Sequence, residues 1–131
     1  MRLPTPEAHG LPDDATIVVP VPEDGLTVYR LLEAGEPTLS DFECGWTRAQ
    51  GQLEGIPELF RTSVSAWLEQ AQAAAASKRR VAYVARLVLE PGPLARVALT
   101  ENEDIGHVDL WAYPRELKRA VVGVVRVHVA P

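Results

Sequence analysis

The sequence predicts an α+β fold. We expect a single small domain with a mostly antiparallel sheet of about five or six strands, one principal helix and one or two short helices. Several segments alternate apolar and polar residues or run continuously apolar, as strands do, whereas one alanine-rich segment has helical spacing. The C-terminal residues 105–129 combine strand, short helix and strand. At 131 residues and 47% hydrophobic content, the chain fits one domain with its own core.

Residues 1–24 are predicted to form a proline-rich N-terminal arm, and residues 25–131 the folded domain. Five of the eleven prolines lie in the arm. Proline lacks a backbone donor, so neither a helix nor a central strand is expected there. Residues 16–19, which are all β-branched, are a candidate edge strand.

The strands predicted after the arm are separated by turn signals. The turn sequence Asp24-Gly25 precedes the first of them, Leu26–Leu32. The others are residues 59–64, 81–90, 94–100, 106–112 and 121–129. Residues 81–90 are apolar on both faces apart from Arg86 and Glu90, so we expect this strand to be central. The last strand is expected to be buried at its start and half-exposed at its end.

Three helices are predicted between these strands. Residues 38–41 resemble a capping box at the start of a short helix over residues 39–44. The principal helix is expected to follow Ser65 as its cap, with one apolar stripe made of Trp67, Leu68, Ala71, Ala74 and Ala75. Its start is ambiguous, because residues 59–64 fit both a strand and the same helical stripe. Pro114 suits the first turn of a short helix before the last strand.

The charge distribution bears on the partners of the protein. The net charge is −5, and residues 1–60 hold eleven acidic and three basic residues, whereas residues 61–96 hold six basic and two acidic residues. An acidic chain is a poor non-specific nucleic-acid binder, so we expect no nucleic-acid partner. The asymmetry favours another protein as partner, for instance a basic one, and it also allows a homo-oligomer.

The expected location is the cytoplasm. The single Cys44 cannot form an internal disulfide, and the residues after Met1 lack the apolar core of a signal peptide. The longest strongly apolar stretch, Val81–Leu89, is too short to span a bilayer. We therefore expect no membrane partner.

Residue types suited to chemistry concentrate in residues 101–111. Three acidic residues lie at 101–104, and His107, Asp109 and Trp111 then share one strand face. The spacing matches no metal-ligand signature, so no metal site is predicted. A proton-transfer pair of His107 and Asp109 is conceivable, because residues two apart on one strand face lie about 6–7 Å from each other at Cα.

Arg30 is the charged member of an apolar strand and could bind an anion. We predict that His107, Asp109, Trp111 and Arg30 border a binding surface. The alternatives are structural. Arg30, at a strand end, would pair with a carboxylate or extend past its neighbours, and Trp111 would cap the core. No dinucleotide or phosphate-binding loop occurs, so no cofactor is predicted.

Four segments together resemble a family of small uncharacterised bacterial proteins. They are VYRLL at 28–32, PTLSDF at 37–42, RTSVSAWLEQA at 61–71 and HVDLWAYPREL at 107–117. The resemblance covers about residues 26–129 and implies an α+β domain with no assigned chemistry. In motif order alone, the chain is also similar to ADP-ribosyltransferase-like domains. That similarity implies Arg30 as cofactor anchor, Ser63 as scaffold and Glu116 as catalytic acid.

Two function classes follow. The first is a non-enzymatic partner-binding protein of the immunity, antitoxin or accessory-subunit type, which fits the small acidic chain and the absence of a convincing catalytic set. The second is an ADP-ribosyltransferase-like enzyme, active or degenerate, that acts on a nicotinamide dinucleotide. The sequence favours the non-enzymatic class.

Overall fold

The computed structural model describes residues 19–43, 63–92, 95–99 and 105–128. These residues form seven strands, two short α-helices and one 3-10 helix. In chain order they are β1 (Val19–Pro20), β2 (Leu26–Leu32), the 3-10 helix (Leu39–Phe42), β3 (Val64–Trp67), α1 (Gln70–Ala76), β4 (Val81–Leu89), β5 (Ala95–Leu99), β6 (His107–Ala112), α2 (Pro114–Arg119) and β7 (Val121–His128).

The seven strands of the described residues form one sheet in the order β1-β5-β6-β3-β2-β4-β7. Every pairing is antiparallel. The prediction of a small, mostly antiparallel sheet domain is therefore confirmed, with more strands and less helix than the sequence indicates. The seventh strand is β1, whose residues Val19 and Pro20 lie in the predicted arm and pair with Val97 and Arg96. Of the candidate edge strand at residues 16–19, Val19 lies in β1 and residues 16–18 are outside the described residues. Residues 1–18 lie outside the described residues.

The sheet has an apolar core on each face. Alternation along β2 sends Val28 and Leu32 to the first face, where they pack with Phe42 of the 3-10 helix and Leu117 of α2. The opposite face carries Trp67 and Val84, which pack with the buried alanines of α1. Since alanine is small, α1 can lie close against β2, β3 and β4.

The principal helix starts later than predicted. Trp67 belongs to β3, where it pairs with His107 of β6, and Leu68 lies in the turn that follows. The cap is Glu69 rather than Ser65, and its backbone N–H donates to Oε1 of Gln72 at 3.1 Å. Strand pairing with β6 thus overrides the helical stripe. Of the predicted strand at residues 59–64, Val64 lies in β3, Ser63 directly precedes it, and residues 59–62 are outside the described residues.

The strand predicted to be central is β4, and it lies second from one end of the sheet. Both of its sides are occupied, by β2 in seven residue pairs and by β7 in seven more. Its residues are largely buried on both faces, but Arg86 and Val88 are exposed because α1 covers only the first part of the strand. On the other half of the sheet, β5 lies between β1 and β6 and pairs with both.

The two short helices begin where the sequence predicts. The 3-10 helix follows Thr38 and covers Leu39–Phe42; Cys44 lies outside the described residues. Pro114 occupies the first turn of α2, where its missing N–H costs no hydrogen bond.

The two ends of the sheet are unlike each other. β1 has two described residues and ends at Pro20, whereas β7 has eight residues and contains no proline. The prediction that the last strand is buried at its start is wrong, since Val122 is 60% exposed. β7 contains exposed and partly exposed residues but no buried one, and β4 is its one neighbour among the strands that the structure describes.

Candidate functional site

Arg30 joins three elements from within the core. It lies on β2 between Val28 and Leu32 and is 8% exposed. Its Nε donates to the carbonyl oxygen of Asp41 at 2.6 Å, and its Nη1 donates to the carbonyl oxygen of Ser65 at 2.6 Å. β2 and β3 share a single registered pair, Tyr29 with Trp67, so the guanidinium supplements a short ladder. Arg30 thereby ties β2 to the 3-10 helix and to β3.

Asp41 holds the loop that leads into the 3-10 helix. Its buried carboxylate accepts the Thr38 N–H at 2.8 Å and the Thr38 hydroxyl at 3.1 Å through Oδ2. Oδ1 accepts the Glu33 N–H at 3.2 Å. The carboxylate reaches back to the cap residue as a capping-box acid does, which is the role the sequence predicts for Asp41.

Ser63, Asp109 and His107 form the second polar cluster, on the sheet face that carries α1. The Ser63 hydroxyl donates to Asp109 Oδ1 at 2.6 Å, and both residues are buried. The other carboxylate oxygen, Oδ2, lies 3.8 Å from His107 Nδ1, close enough for an ion pair when the imidazole is protonated. The structure therefore brings together His107 and Asp109, as their shared strand face predicts, and adds Ser63 to them.

His107 is held in this position by its neighbours. The Trp67 indole meets the imidazole edge-on, with ring centroids 5.3 Å apart and an interplanar angle of 81°. Gly106, which precedes His107, has a φ of +78°, and Gln72 of α1 lies where a side chain at Gly106 would point. This backbone conformation favours glycine. The turn before β6 is thus shaped by its contact with α1.

The predicted binding surface is mostly interior. Trp111 is fully buried, Asp109 is buried, and His107 keeps partial exposure. A fully buried indole contributes to the core, as in the structural alternative for Trp111, and offers no open face to a ligand. Arg30 lies on the opposite face of the sheet from the Ser63, Asp109 and His107 cluster, and it reaches the strand beside that cluster through its bond to the Ser65 carbonyl oxygen.

Arg30 lines a first cavity, of about 350 Å³. This cavity lies where the end of β2, the end of α1 and the start of β4 meet, and its walls include Trp67, Lys78 and Arg79. Arg79 Nη1 donates to the Glu33 carbonyl oxygen at 2.9 Å across this region. The anion-binding hypothesis for Arg30 is compatible with these cationic walls and stays a prediction.

Glu116 lies on α2 and lines a second cavity, of about 530 Å³. Its Oε1 is 3.2 Å from Arg119 Nη1, one turn further along the helix. The three residues therefore lie at different sites. Arg30 lines the first cavity, Ser63 is hydrogen-bonded to Asp109, and Glu116 lines the second cavity. Neither of these two cavities brings the three residues of the ADP-ribosyltransferase analogy together, and that activity stays a prediction.

The acidic residues 101–104 lie outside the described part of the chain. Within the described ranges, no group of three or more His, Cys, Asp or Glu side chains is arranged to hold a metal ion. Nor does any helix of those ranges have the length and apolar character needed to cross a membrane. No protein-family model, curated protein or solved structure matches the chain.

Sequence reasoning missed the exposed edge of β7 and the second cavity. Residues 121–125 are four valines and one glycine, a pattern typical of a strand covered on both faces. Here the strand is instead last in the sheet, and Val122 also lines the second cavity.

Replacing Ser63 with alanine tests whether the Ser63–Asp109 bond is structural. We expect the free energy of unfolding to fall by about 1.5–3 kcal/mol, because a buried carboxylate loses a hydrogen bond donated at 2.6 Å. Urea unfolding measures the change. Ser40→Ala is the matched control, since the Ser40 hydroxyl is exposed and contacts Thr38 Oγ1 at 3.2 Å. Equal stability of both variants and the wild type would contradict the structural role.

Proposed function

We propose that the protein is a non-enzymatic protein-binding module of the immunity, antitoxin or accessory-subunit type. In this proposal it binds an extended segment of its partner, which adds to the sheet along β7. The observation that carries the proposal is the edge itself: eight residues, paired on one side by β4, with Val122 and Val125 60% and 42% exposed.

A strand of this kind is unusual at the end of a sheet. Natural edge strands are kept from pairing by being short, by proline, or by charged side chains along the edge. β1 follows that rule through Pro20, at which it ends. Within the described ranges, the protective features of β7 are an irregularity opposite Arg86 and Leu87 and the charge of Arg126. Residues 123–128 are in regular register with β4, so they can accept a further strand.

The charges beside β7 indicate what the partner segment carries. Arg126 lies on the strand, and the exposed Arg86 lies opposite Gly123 on β4. A segment that combines apolar residues with carboxylates fits this edge better than a basic one. The expectation of a basic partner rests on the acidic residues within positions 1–60. The charges beside β7 instead favour an acidic segment.

The polar clusters support a non-enzymatic assignment. Arg30 and Asp41 are bonded to main-chain atoms that connect β2, β3 and the 3-10 helix. Ser63 donates to Asp109, so its hydroxyl is hydrogen-bonded within the fold. Each of these bonds stabilises the domain, and in these contacts the residues act as structural connections.

The test is a selection of short random peptides displayed on phage against the immobilised protein. We expect selected peptides to bind the wild type and to lose at least about tenfold in affinity, or about 1.4 kcal/mol, against Val125→Lys, because an edge lysine opposes strand addition. Isothermal titration calorimetry with the synthetic peptides gives the affinities.

Val19→Lys is the matched control. Val19 is 44% exposed and lies at the opposite end of the sheet, so the same substitution at almost the same exposure leaves β7 intact. Both substitutions are at exposed positions, and thermal unfolding verifies that both variants are folded. Peptides that bind Val125→Lys as well as wild type, or that lose affinity equally with Val19→Lys, would refute the proposal, as would a selection that yields no binder.

A further inference from the structure

The second cavity opens beside the start of β7. It lies between α2, the end of β4 and the first residue of β5, and Val122 of β7 forms part of its wall. Its volume of about 530 Å³ lies within the roughly 300–1,000 Å³ typical of ligand pockets. The lining is mainly aliphatic and includes Val88, Leu89, Ala95, Ala112, Leu117 and Val122.

Two small side chains create this space. Ala95 is the first residue of β5 and Ala112 is the last residue of β6. The two residues are paired, and both line the cavity. Larger residues at these two positions would fill the volume, so the pair of alanines leaves room for a side chain from elsewhere. Leu117, which is buried in the main core, closes the inner wall.

The rim of the cavity is polar. Glu90, Glu116 and Arg119 line it, and the Glu116 carboxylate lies 3.2 Å from the largely exposed Arg119 guanidinium. These charged groups are at least partly exposed, whereas Leu89, Ala95 and Leu117 of the lining are buried. An apolar side chain is therefore the complementary occupant of the centre. An apolar centre with a polar rim is also the usual arrangement of an anchor pocket in a protein interface.

We infer that the second cavity takes one large apolar side chain, such as leucine or phenylalanine, from the partner segment that pairs with β7. This inference rests on the proposed function. Val122 is the physical link between the two, because it belongs to β7, is 60% exposed and lines the cavity. A segment lying along β7 therefore passes the mouth of the cavity as it reaches the start of the strand.

The first experiment needs no partner. N-acetylphenylalaninamide is titrated into ¹⁵N-labelled protein while amide chemical shifts are followed by NMR. We expect saturable shifts at Ala95, Ala112, Ala120 and Val122, with a Kd on the order of 1 mM for so small a ligand. The shifts should be reduced in Ala112→Leu, which narrows the cavity. Ala95→Leu narrows it from the facing strand and serves as a second variant if one of the two fails to fold. Absence of saturable shifts, or equal shifts in the narrowed variants, would overturn the inference.

The second experiment couples the cavity to the edge by a double-mutant cycle with the selected peptides. Replacing the anchor residue of a peptide with alanine should weaken binding to wild type at least tenfold, and that replacement should have no effect on binding to Ala112→Leu. If peptides depend on Val125 but show no such coupling, the inference fails and the proposed function stands. If no peptide depends on Val125, the proposed function fails, and the anchor inference fails with it, whatever the small probe does.

Discussion

Replacing Arg30 with methionine is expected to lower the free energy of unfolding by about 2–6 kcal/mol, since the carbonyl oxygens of Asp41 and Ser65 each lose a donor at roughly 1–3 kcal/mol. Methionine keeps the unbranched apolar stem of the arginine side chain but lacks the guanidinium, so most of the loss of stability is attributable to that group. Urea unfolding monitored by circular dichroism measures the change. If the free energy of unfolding depends on urea concentration with the same slope in both proteins, the variant and the wild type expose the same amount of surface on unfolding.

Two further variants isolate the geometry of this contact. Arg30→Lys keeps the charge but lacks the planar fork that reaches two carbonyls at once, so we expect a stability between those of the wild type and Arg30→Met. Arg96→Met is the control, because Arg96 is exposed on β5. If Arg30→Met were as stable as Arg96→Met, the guanidinium would not be a structural connection, and the anion-binding hypothesis for the first cavity would gain weight.

Replacing Trp111 with alanine is expected to cost about 3–5 kcal/mol of stability, the usual loss for a large buried aromatic side chain. Trp111 is the largest fully buried side chain among the described residues. Thermal unfolding gives the change in midpoint, and denaturant unfolding gives the free energy. Trp111→Phe leaves a smaller cavity and should recover part of the loss.

Leu99→Ala is the control for this prediction. Leu99 lies on the neighbouring strand β5 and is 55% exposed, so its truncation is expected to change stability by less than about 0.5 kcal/mol. A loss at Trp111 as small as the loss at Leu99 would mean that the indole is not part of the core, and the binding-surface hypothesis would then regain support.

Local patterns located most of the strands. Alternation and apolar runs predicted β2, β4, β5, β6 and β7 to within about two residues at each end, because side-chain period is a property of the strand itself. Pro114 and Thr38 marked the starts of two short helices for an equally local reason. The start of α1 was not predictable in this way, since Trp67 and Leu68 fit the helical stripe. Pairing of Trp67 with His107 of β6 assigned it to a strand.

The candidate site was predicted in part. His107 and Asp109 share a strand face, as their spacing requires, and their side chains lie within ion-pair distance. The bond from Ser63 to Asp109 joins residues 46 positions apart, and no local pattern could indicate it. The complete burial of Trp111 is likewise a result of tertiary structure, which the alternation along its strand does not reveal. The separation of Arg30 from Glu116 depends on which face and which end of the sheet each one occupies.

The amino-acid sequence by itself determined an antiparallel, sheet-rich domain, the approximate limits of five of its strands and the capping role of Asp41, because each of these follows from residues close together in the chain. Only the tertiary structure decided the order of the strands, and with it that β7 is the last of them. The sequence pattern of a valine-rich strand is the same whether one of its edges is paired with a neighbouring strand or both are. The exposed edge and the cavity beside it, on which the proposed function rests, therefore became visible only once all seven strands were placed.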